Sequence, residues 1–387
     1  KATIRDGTLI YRDGATGTEQ RITDLNLDVT TGGLTGPFEA DGTLSYQDLP
    51  LGLTASVGEI ATQGSTPIKL DVSVGDGAGT ATVSGLLNLA DETGFKGPSF
   101  KGDVSADAPD TAVLIERVQA ALGEAVSGLP TALGQAGSVS AKLDGSKAGV
   151  TAEDLSISLG ETRMQGRLSV SMTDGLIVDA VLSGNRLDLD AFMPADTAEA
   201  STQASAGQSA TSAATPMGGF TIPTDLGGTV ELSVDAVQFK GAAIRKARVN
   251  LTAADGVVAI DLATAQLPGG SEVTVTGTLE APEGAPKFTG QAEMVSDNLR
   301  GTLDWLGVDL AGISADRLRK ASFSAAVAAT PQQIDVSNAR IELDATQARG
   351  AVTVAWCGRS VQSESAADAE GSAAVFRTAE ANVTVDL

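Results

Sequence analysis

The residues of this chain that could do chemistry are few, and their types exclude most enzymatic mechanisms. The sequence has no His, which removes the commonest general base and the commonest metal ligand. No Ser can therefore have the His partner of the usual catalytic triad; a Ser–Lys pair stays open, although nothing points to one. The single cysteine, Cys357, can form neither an intramolecular disulfide nor a zinc site. We predict that the protein is not an enzyme.

Two short motifs could bind an ion or a phosphate. Leu187-Asp188-Leu189-Asp190 would place two carboxylates on one strand face as a calcium ligand pair, but no glycine-bounded ligand loop follows, which favours a solvated face. Gly75-Asp76-Gly77-Ala78-Gly79 joins two predicted strands rather than a strand and a helix, which argues against a phosphate cradle. Trp305 and Trp356 are interpreted as core or rim residues. We predict no metal and no cofactor.

The elements around these motifs are strands in which apolar and polar residues alternate, the period of a half-buried strand. The clearest stretch runs from Gly149 to Phe192 and should have one wet face. A second stretch has the same alternation, with apolar residues at Ile341 and Leu343 and at Val352 and Val354. We predict that the following residues all point to one concave side and line a lipid path: Leu155, Ile157, Leu159, Leu168, Val170, Met172, Ile341, Leu343, Val352 and Val354.

Further strands are predicted wherever alternation is bounded by Gly, Pro, Asn or Asp. Before the clearest stretch they cover 8–11, 25–29, 38–46, 51–57, 68–74, 80–86 and 139–143, with turns at Asp6-Gly7 and Asp13-Gly14. After it they cover 229–234, 247–252, 257–263 and 271–279. A helix is predicted over 110–126, where apolar residues form one helical stripe after the candidate N-cap Asp110. A second is predicted near 298–307.

The chain resembles itself at a shift of 184 residues. VSAKL at 139–143 pairs with FSAAV at 323–327, SISL at 156–159 with RIEL at 340–343, and MQGRLSV at 164–170 with ARGAVTV at 348–354. We therefore predict two duplicated units, 1–194 and 220–357, each with a short helix. A disordered Ser/Ala/Thr-rich linker over 195–219 should join them. Alternation fails after Gly358, so 358–387 is predicted to be a frayed or disordered tail with at most a weak strand over 383–387.

Charge and hydropathy limit the partners. The 26 basic and 49 acidic residues give a formal charge of −23, which makes nucleic acid an unfavourable partner. No segment approaches the roughly 18 apolar residues that would span a bilayer. The sequence begins at Lys1, directly in strand-like sequence and without a signal-peptide pattern, so we expect an excised fragment whose anchor or export signal lies upstream.

Several stretches together resemble the AsmA family of Gram-negative envelope proteins. They are IRDGTLIYRDGATG followed by ITDLNLDV, the GPFEADGTLSY turn, AQLPGGSEVTVTGTLE at 265–280, LDLDAF at 187–192 and the Ser/Ala/Thr-rich joint. The resemblance covers about residues 1–357. It implies an elongated, bent antiparallel β-sheet that forms a groove, akin to repeating-groove lipid bridges. It also implies a periplasmic body with an N-terminal inner-membrane helix that is absent here, and a role in phospholipid movement or outer-membrane maintenance.

Three functions stay open at this point. The first is a groove that binds or conducts phospholipid between the inner and outer membranes, lined by small and medium aliphatic side chains. The second is a scaffold that assists outer-membrane protein assembly, and the third is a β-rich surface adhesin. The variable lengths of strands and loops argue against a β solenoid for the third. Alternating strands also fit a closed sandwich core, so the sequence leaves open what covers the apolar side.

Overall fold

The computed structural model describes residues 1–12, 19–60, 64–89, 98–123, 128–173, 175–193, 221–359 and 376–386. The predicted linker over 195–219 lies outside these residues. The chain divides into two compact units, which we treat separately. Unit 1 contains the described residues up to 193 together with Val237–Gly241, and unit 2 contains residues 221–236 and those from Ala242 onward.

Unit 1 is an antiparallel meander in which each strand pairs with the next strand in the chain. Its alternating apolar residues and short polar turns specify this arrangement. The strands are β1 (Ala2–Arg12), β2 (Glu19–Thr31), β3 (Phe38–Tyr46), β4 (Leu49–Val57), β5 (Ser65–Val74), β6 (Gly79–Asn88), β7 (Ser99–Ala108), β8 (Gly137–Ser146), β9 (Gly149–Leu159), β10 (Thr162–Ser171) and β11 (Leu176–Asp188).

Unit 2 has the same kind of antiparallel meander over β13 to β20. The strand β12 (Leu226–Phe239) precedes it. The others are β13 (Ala242–Ala254), β14 (Val257–Leu267), β15 (Ser271–Glu280), β16 (Lys287–Ser296), β17 (Ala321–Ala329), β18 (Gln333–Leu343), β19 (Thr346–Arg359) and β20 (Phe376–Asp386). The prediction of a mainly β, open antiparallel architecture is confirmed.

Three short α-helices interrupt the strands in the described part of the chain: α1 (Thr111–Ala121), α2 (Leu189–Phe192) and α3 (Leu299–Trp305). Asp110 caps α1 as predicted, since its Oδ1 accepts a hydrogen bond from the Val113 N–H at 3.1 Å. Asn298 caps α3 in the same way through the Gly301 N–H. Single turns of 3₁₀-helix lie at Thr131–Leu133 and Pro282–Gly284. The first and third helices lie where the sequence predicts them.

Two local predictions are wrong. Asp6-Gly7 is not a turn, because β1 continues through it and Asp6 takes a positive φ of 50° at a register shift. The predicted frayed tail over 358–387 is wrong for Phe376–Asp386, which form β20 and pair with β19 from Arg349 to Arg359; residues 360–375 and Leu387 lie outside the described residues. A strand with weak apolar alternation forms here because backbone hydrogen bonds to a neighbouring strand do not depend on side-chain type.

The interval of 184 residues reappears in the strand registers. Gly149 and Gln333 begin β9 and β18, and Thr162 and Thr346 begin β10 and β19. The pairing of β8 with β9 shifts between Ser140 and Lys142, and that of β17 with β18 shifts between Ser324 and Ala326. A duplication would produce such shared irregularities; the duplication itself stays a prediction.

Candidate functional site

One face of the unit 1 sheet carries most of its large apolar side chains. Residues directly opposite each other on neighbouring strands project from the same face, so the register assigns each paired residue from β1 to β11 to one of two faces. The apolar face, as we call it, holds aliphatic and aromatic residues with Gly, Thr and one Gln, and no charged residue among those paired. The predicted residues Leu155, Ile157, Leu159, Leu168 and Val170 lie on it, and Met172 follows at the end of β10.

Unit 2 has an apolar face of the same kind. Ile341 and Leu343 on β18 share a face with Val352 and Val354 on β19, because Ile341 opposes Ala348 and Val354 opposes Ile334. Among the paired residues from β13 to β19, no charged residue lies on this face. The register thus brings together the predicted residues within each unit. Their role in lining a lipid path stays a prediction.

A bulge keeps the apolar residues of β9 on one face. Val150 and Ala152 occupy even positions, whereas Leu155, Ile157 and Leu159 occupy odd ones. Asp154 lies between the two sets with a positive φ of 51°, and the register against β10 shifts there. In β18 the same change of phase occurs around Asn338, whose φ is 53°. Asp and Asn tolerate this conformation better than most residues. The sequence signal for the bulge was therefore the change of the apolar residues from even to odd positions beside an Asp.

Among the described residues, the apolar face of each unit is half-exposed. Of the twelve apolar residues that are buried in the described part of the chain, nine are Ala; the larger ones are Val234, Val237 and Leu310. A closed sandwich core would bury many large side chains. Met172 is instead 58% exposed and Ile341 40% exposed. The described residues therefore favour an accessible apolar face over a closed core.

In each unit, two glycines lie opposite each other on neighbouring strands. Gly85 on β6 lies opposite Gly102 on β7, and a Cβ added to either would point to the apolar face and meet backbone atoms of the other strand. A Cβ on Gly102 would lie 2.6 Å from the Gly85 Cα, closer than real Cβ atoms come. We infer from this close approach that the two strands bend toward the apolar face at this pair, and we call the feature a crease.

Unit 2 has an equivalent crease at Gly277 on β15 and Gly290 on β16. In both units a phenylalanine two residues before the second glycine lies over the crease. The ring of Phe100 would be 2.8 Å from a Cβ on Gly102, and that of Phe288 would be 2.6 Å from a Cβ on Gly290. The Phe-x-Gly sequence common to both units was the available signal, but it does not reveal a crease without the neighbouring strand.

Helices cover one end of each apolar face. In unit 1 a Cβ on Gly79 would be 3.0 Å from both Cδ atoms of Leu114 in α1, and Arg117 of α1 donates a 2.7 Å hydrogen bond to the Gly75 carbonyl. In unit 2 the Ser271 hydroxyl is fully buried, 2.6 Å from the Thr302 hydroxyl of α3. Ser271 also donates to the Ser296 hydroxyl at 2.8 Å. Each helix is thus fixed by polar contacts at the end of an otherwise apolar surface.

The opposite face of unit 1 is polar and its charges are partly neutralised. Lys101 pairs with Asp144 at 3.1 Å, and Lys142 pairs with Asp154 at 2.7 Å. The hydrogen bond and charge of Asp154 raise the pKa of Lys142 above its ordinary value. A shallow depression of about 590 Å³ lies around these lysines. Because both lysines are already paired, the depression is a poor site for an anion.

The predicted carboxylate pair is not a ligand pair on a strand face. Asp188 ends β11 and caps α2, where its Oδ1 accepts from the Ala191 N–H at 3.2 Å. Asp190 lies within α2 and accepts from the N–H groups of Lys240 at 2.7 Å and Gly241 at 2.9 Å. Both carboxylates therefore organise backbone. Across the described residues, no group of three or more His, Cys, Asp or Glu side chains could hold a metal.

The carboxylate of Asp344 should make the stability of unit 2 depend on pH. Hydrogen bonds from the backbone N–H groups of Lys320, Leu318 and Arg319 hold the pKa of Asp344 below its ordinary value of 3.8. Because the folded-state pKa is lowered, this stabilisation is present above the ordinary pKa and is lost as the pH falls through the folded value. We expect Asp344→Asn to lower the thermal midpoint at neutral pH and to weaken its dependence on pH below about pH 4. Identical pH profiles of thermal midpoints for wild type and variant would contradict this.

Comparisons of the chain with protein-family models, curated proteins and solved structures returned no match. The resemblance to the AsmA family therefore stays a prediction. None of the helices in the described ranges combines the length and hydropathy needed to cross a bilayer.

Proposed function

We propose that this chain is the periplasmic part of an AsmA-like protein, anchored in the inner membrane, that binds or conducts phospholipid along its apolar faces. The observation that supports this most directly is the absence of charge from the paired residues on one face of each sheet, combined with the partial exposure of that face. A surface of this kind needs an apolar occupant, since contiguous exposed apolar patches are rare on monomeric soluble proteins.

An acyl chain suits this surface chemically. It needs no polar partner and gains about 0.8 kcal/mol for each methylene removed from water. The lining by Val, Leu, Ile and Ala offers dispersion contacts without a fixed hydrogen-bond pattern, so a chain can shift from one strand to the next at little cost.

A pair of neighbouring residues on β8 tests the proposal. Val139 is 40% exposed on the apolar face, whereas Ser140 is exposed on the polar face. We expect Val139→Asp to leave the circular dichroism spectrum unchanged and to lower co-purifying phospholipid about tenfold. An apolar occupant would partly desolvate the new carboxylate, which is unfavourable, and a tenfold loss of lipid corresponds to about 1.4 kcal/mol of binding free energy. Mass spectrometry of lipid extracted with the membrane-derived protein provides the measurement.

Ser140→Asp is the matched control, with the same new charge on the same strand, and should retain wild-type lipid. Equal amounts of co-purifying phospholipid in both variants would show that the lipid does not bind to the apolar face. Wild-type protein that carries no phospholipid when extracted from membranes would refute the proposal and favour a scaffold in outer-membrane protein assembly.

A further inference from the structure

The two ends of the unit 1 strands differ. At one end, the helix rim, α1 packs against Gly79, and the Thr131 hydroxyl of the neighbouring 3₁₀ turn donates to the Ala191 carbonyl of α2. Ala108 and Ala132 are buried there. The other end, which we call the loop rim, includes the turns after β8 and β10. The apolar face is therefore covered at the helix rim.

An apolar cluster is exposed at the loop rim. Val150 is 41%, Met172 58% and Leu176 41% exposed. The cluster is continuous with the apolar face, because Val150 lies opposite Val170, and Val170 lies opposite Val178. The Met172 N–H also donates to the Ala148 carbonyl at 2.9 Å, which fixes the β8–β9 turn beside the cluster.

A lysine without an ion-pair partner stands in that turn. Lys147 directly precedes Ala148, is exposed, and forms no salt bridge with any residue that the structure describes. Nearby lysines on the polar face differ, since Lys101 and Lys142 are held by Asp144 and Asp154. In a chain of net charge −23, an unpaired cation beside an exposed apolar cluster matches a ligand with an anionic head and apolar tails.

We propose that phospholipid enters unit 1 across the loop rim, with its acyl chains on the apolar face and its headgroup phosphate outside, beside Lys147. This inference rests on the proposed function and adds the orientation of the lipid. Charge complementarity supports a phospholipid occupant, because a lysine near a lipid surface attracts anionic headgroups. The lysine's stem can lie along the apolar rim while its ammonium stays in water.

Photo-crosslinking tests the orientation directly. The full chain is incubated with vesicles of phosphatidylethanolamine and phosphatidylglycerol that contain a lipid with a photoreactive group on either its headgroup or its acyl-chain end. Crosslinked peptides are then mapped by mass spectrometry. The headgroup probe should label 146–150 and 171–173, and the acyl probe should label apolar-face residues such as Leu155. Headgroup labelling confined to the helix rim, at 159–163, or divided equally between the two rims, would overturn the orientation while leaving lipid binding intact. An absence of labelling by both probes would overturn both proposals.

A charge reversal provides the second measurement. Lys147→Glu should lower headgroup labelling about fivefold, the effect of losing one basic residue near an anionic lipid. Arg163→Glu is the matched control, since Arg163 is exposed on the polar face of β10 near the helix rim and makes no salt bridge with the described residues. Labelling that stays at the wild-type level in Lys147→Glu, or falls equally in both variants, would remove Lys147 from the headgroup contact and overturn the proposal.

Discussion

Gly102→Ala should destabilise unit 1 by about 3 kcal/mol or more, an unusually large effect for one added methyl group. The new Cβ would lie 2.6 Å from the Gly85 Cα and 2.8 Å from the Phe100 ring, and would overlap the Ser84 carbonyl oxygen. The ring can rotate away, but the backbone of β6 cannot move without breaking its register with β5 or β7. Urea unfolding followed by circular dichroism measures the loss.

Gly145→Ala is the control, because Gly145 on β8 also faces the apolar side and lies opposite Phe100. A Cβ there would have its nearest neighbour, a methyl of Val150, at 3.6 Å, an ordinary contact. We expect this variant to be neutral or more stable by about 0.4–1 kcal/mol, through reduced freedom of the unfolded chain. Similar unfolding midpoints for both alanine variants would show that the Gly85–Gly102 crease is not formed in solution.

Ala152→Asp should abolish folding of unit 1, whereas Met172→Asp should leave it folded. Both residues are on or at the end of the apolar face, but Ala152 is only 8% exposed, between Leu143 and Leu168 on its neighbouring strands. A carboxylate buried there without a partner costs several kcal/mol, comparable with the stability of a whole domain. Met172 is 58% exposed, so a carboxylate at that position stays in water.

Hydrogen exchange across β8 to β11 distinguishes these outcomes. Ala152→Asp should lose protection throughout these strands, and Met172→Asp should keep it. If Met172→Asp also unfolds the unit, its apolar rim is sealed in solution as in a closed core. Lipid could then not reach the apolar face from this rim.

Regular local patterns made most of the fold predictable. The alternation over Leu155, Ile157 and Leu159 is enough for β9, and Asp110 before an apolar stripe is enough for the start of α1. The sequence-based predictions failed where a contact between residues distant in the chain determines the local structure. Leu189 begins a helix because Asp188 caps it and Asp190 binds the β12–β13 turn, which lies 50 residues away in the chain.

The candidate site was predictable as a set of residues sharing a face, but not in its shape. The apolar side of β9 and β10 follows from period two, provided that the bulge at Asp154 restores the phase. The crease at Gly85 and Gly102 depends on two glycines meeting across a register that sequence spacing does not fix. Lys147 also could not be singled out from the sequence, because only the structure shows that Lys101 and Lys142 form ion pairs and Lys147 forms none with the described residues.

The order in which neighbouring strands pair also bears on how the chain is made. In each meander a strand needs only the strand immediately before it, so a hairpin can close soon after its second strand emerges from the ribosome or from a translocation pore. No strand of these meanders must wait for a distant partner, which keeps the entropy of loop closure small at every step. Each sheet can form from its N-terminal end, as each new strand pairs with the strand that was added before it.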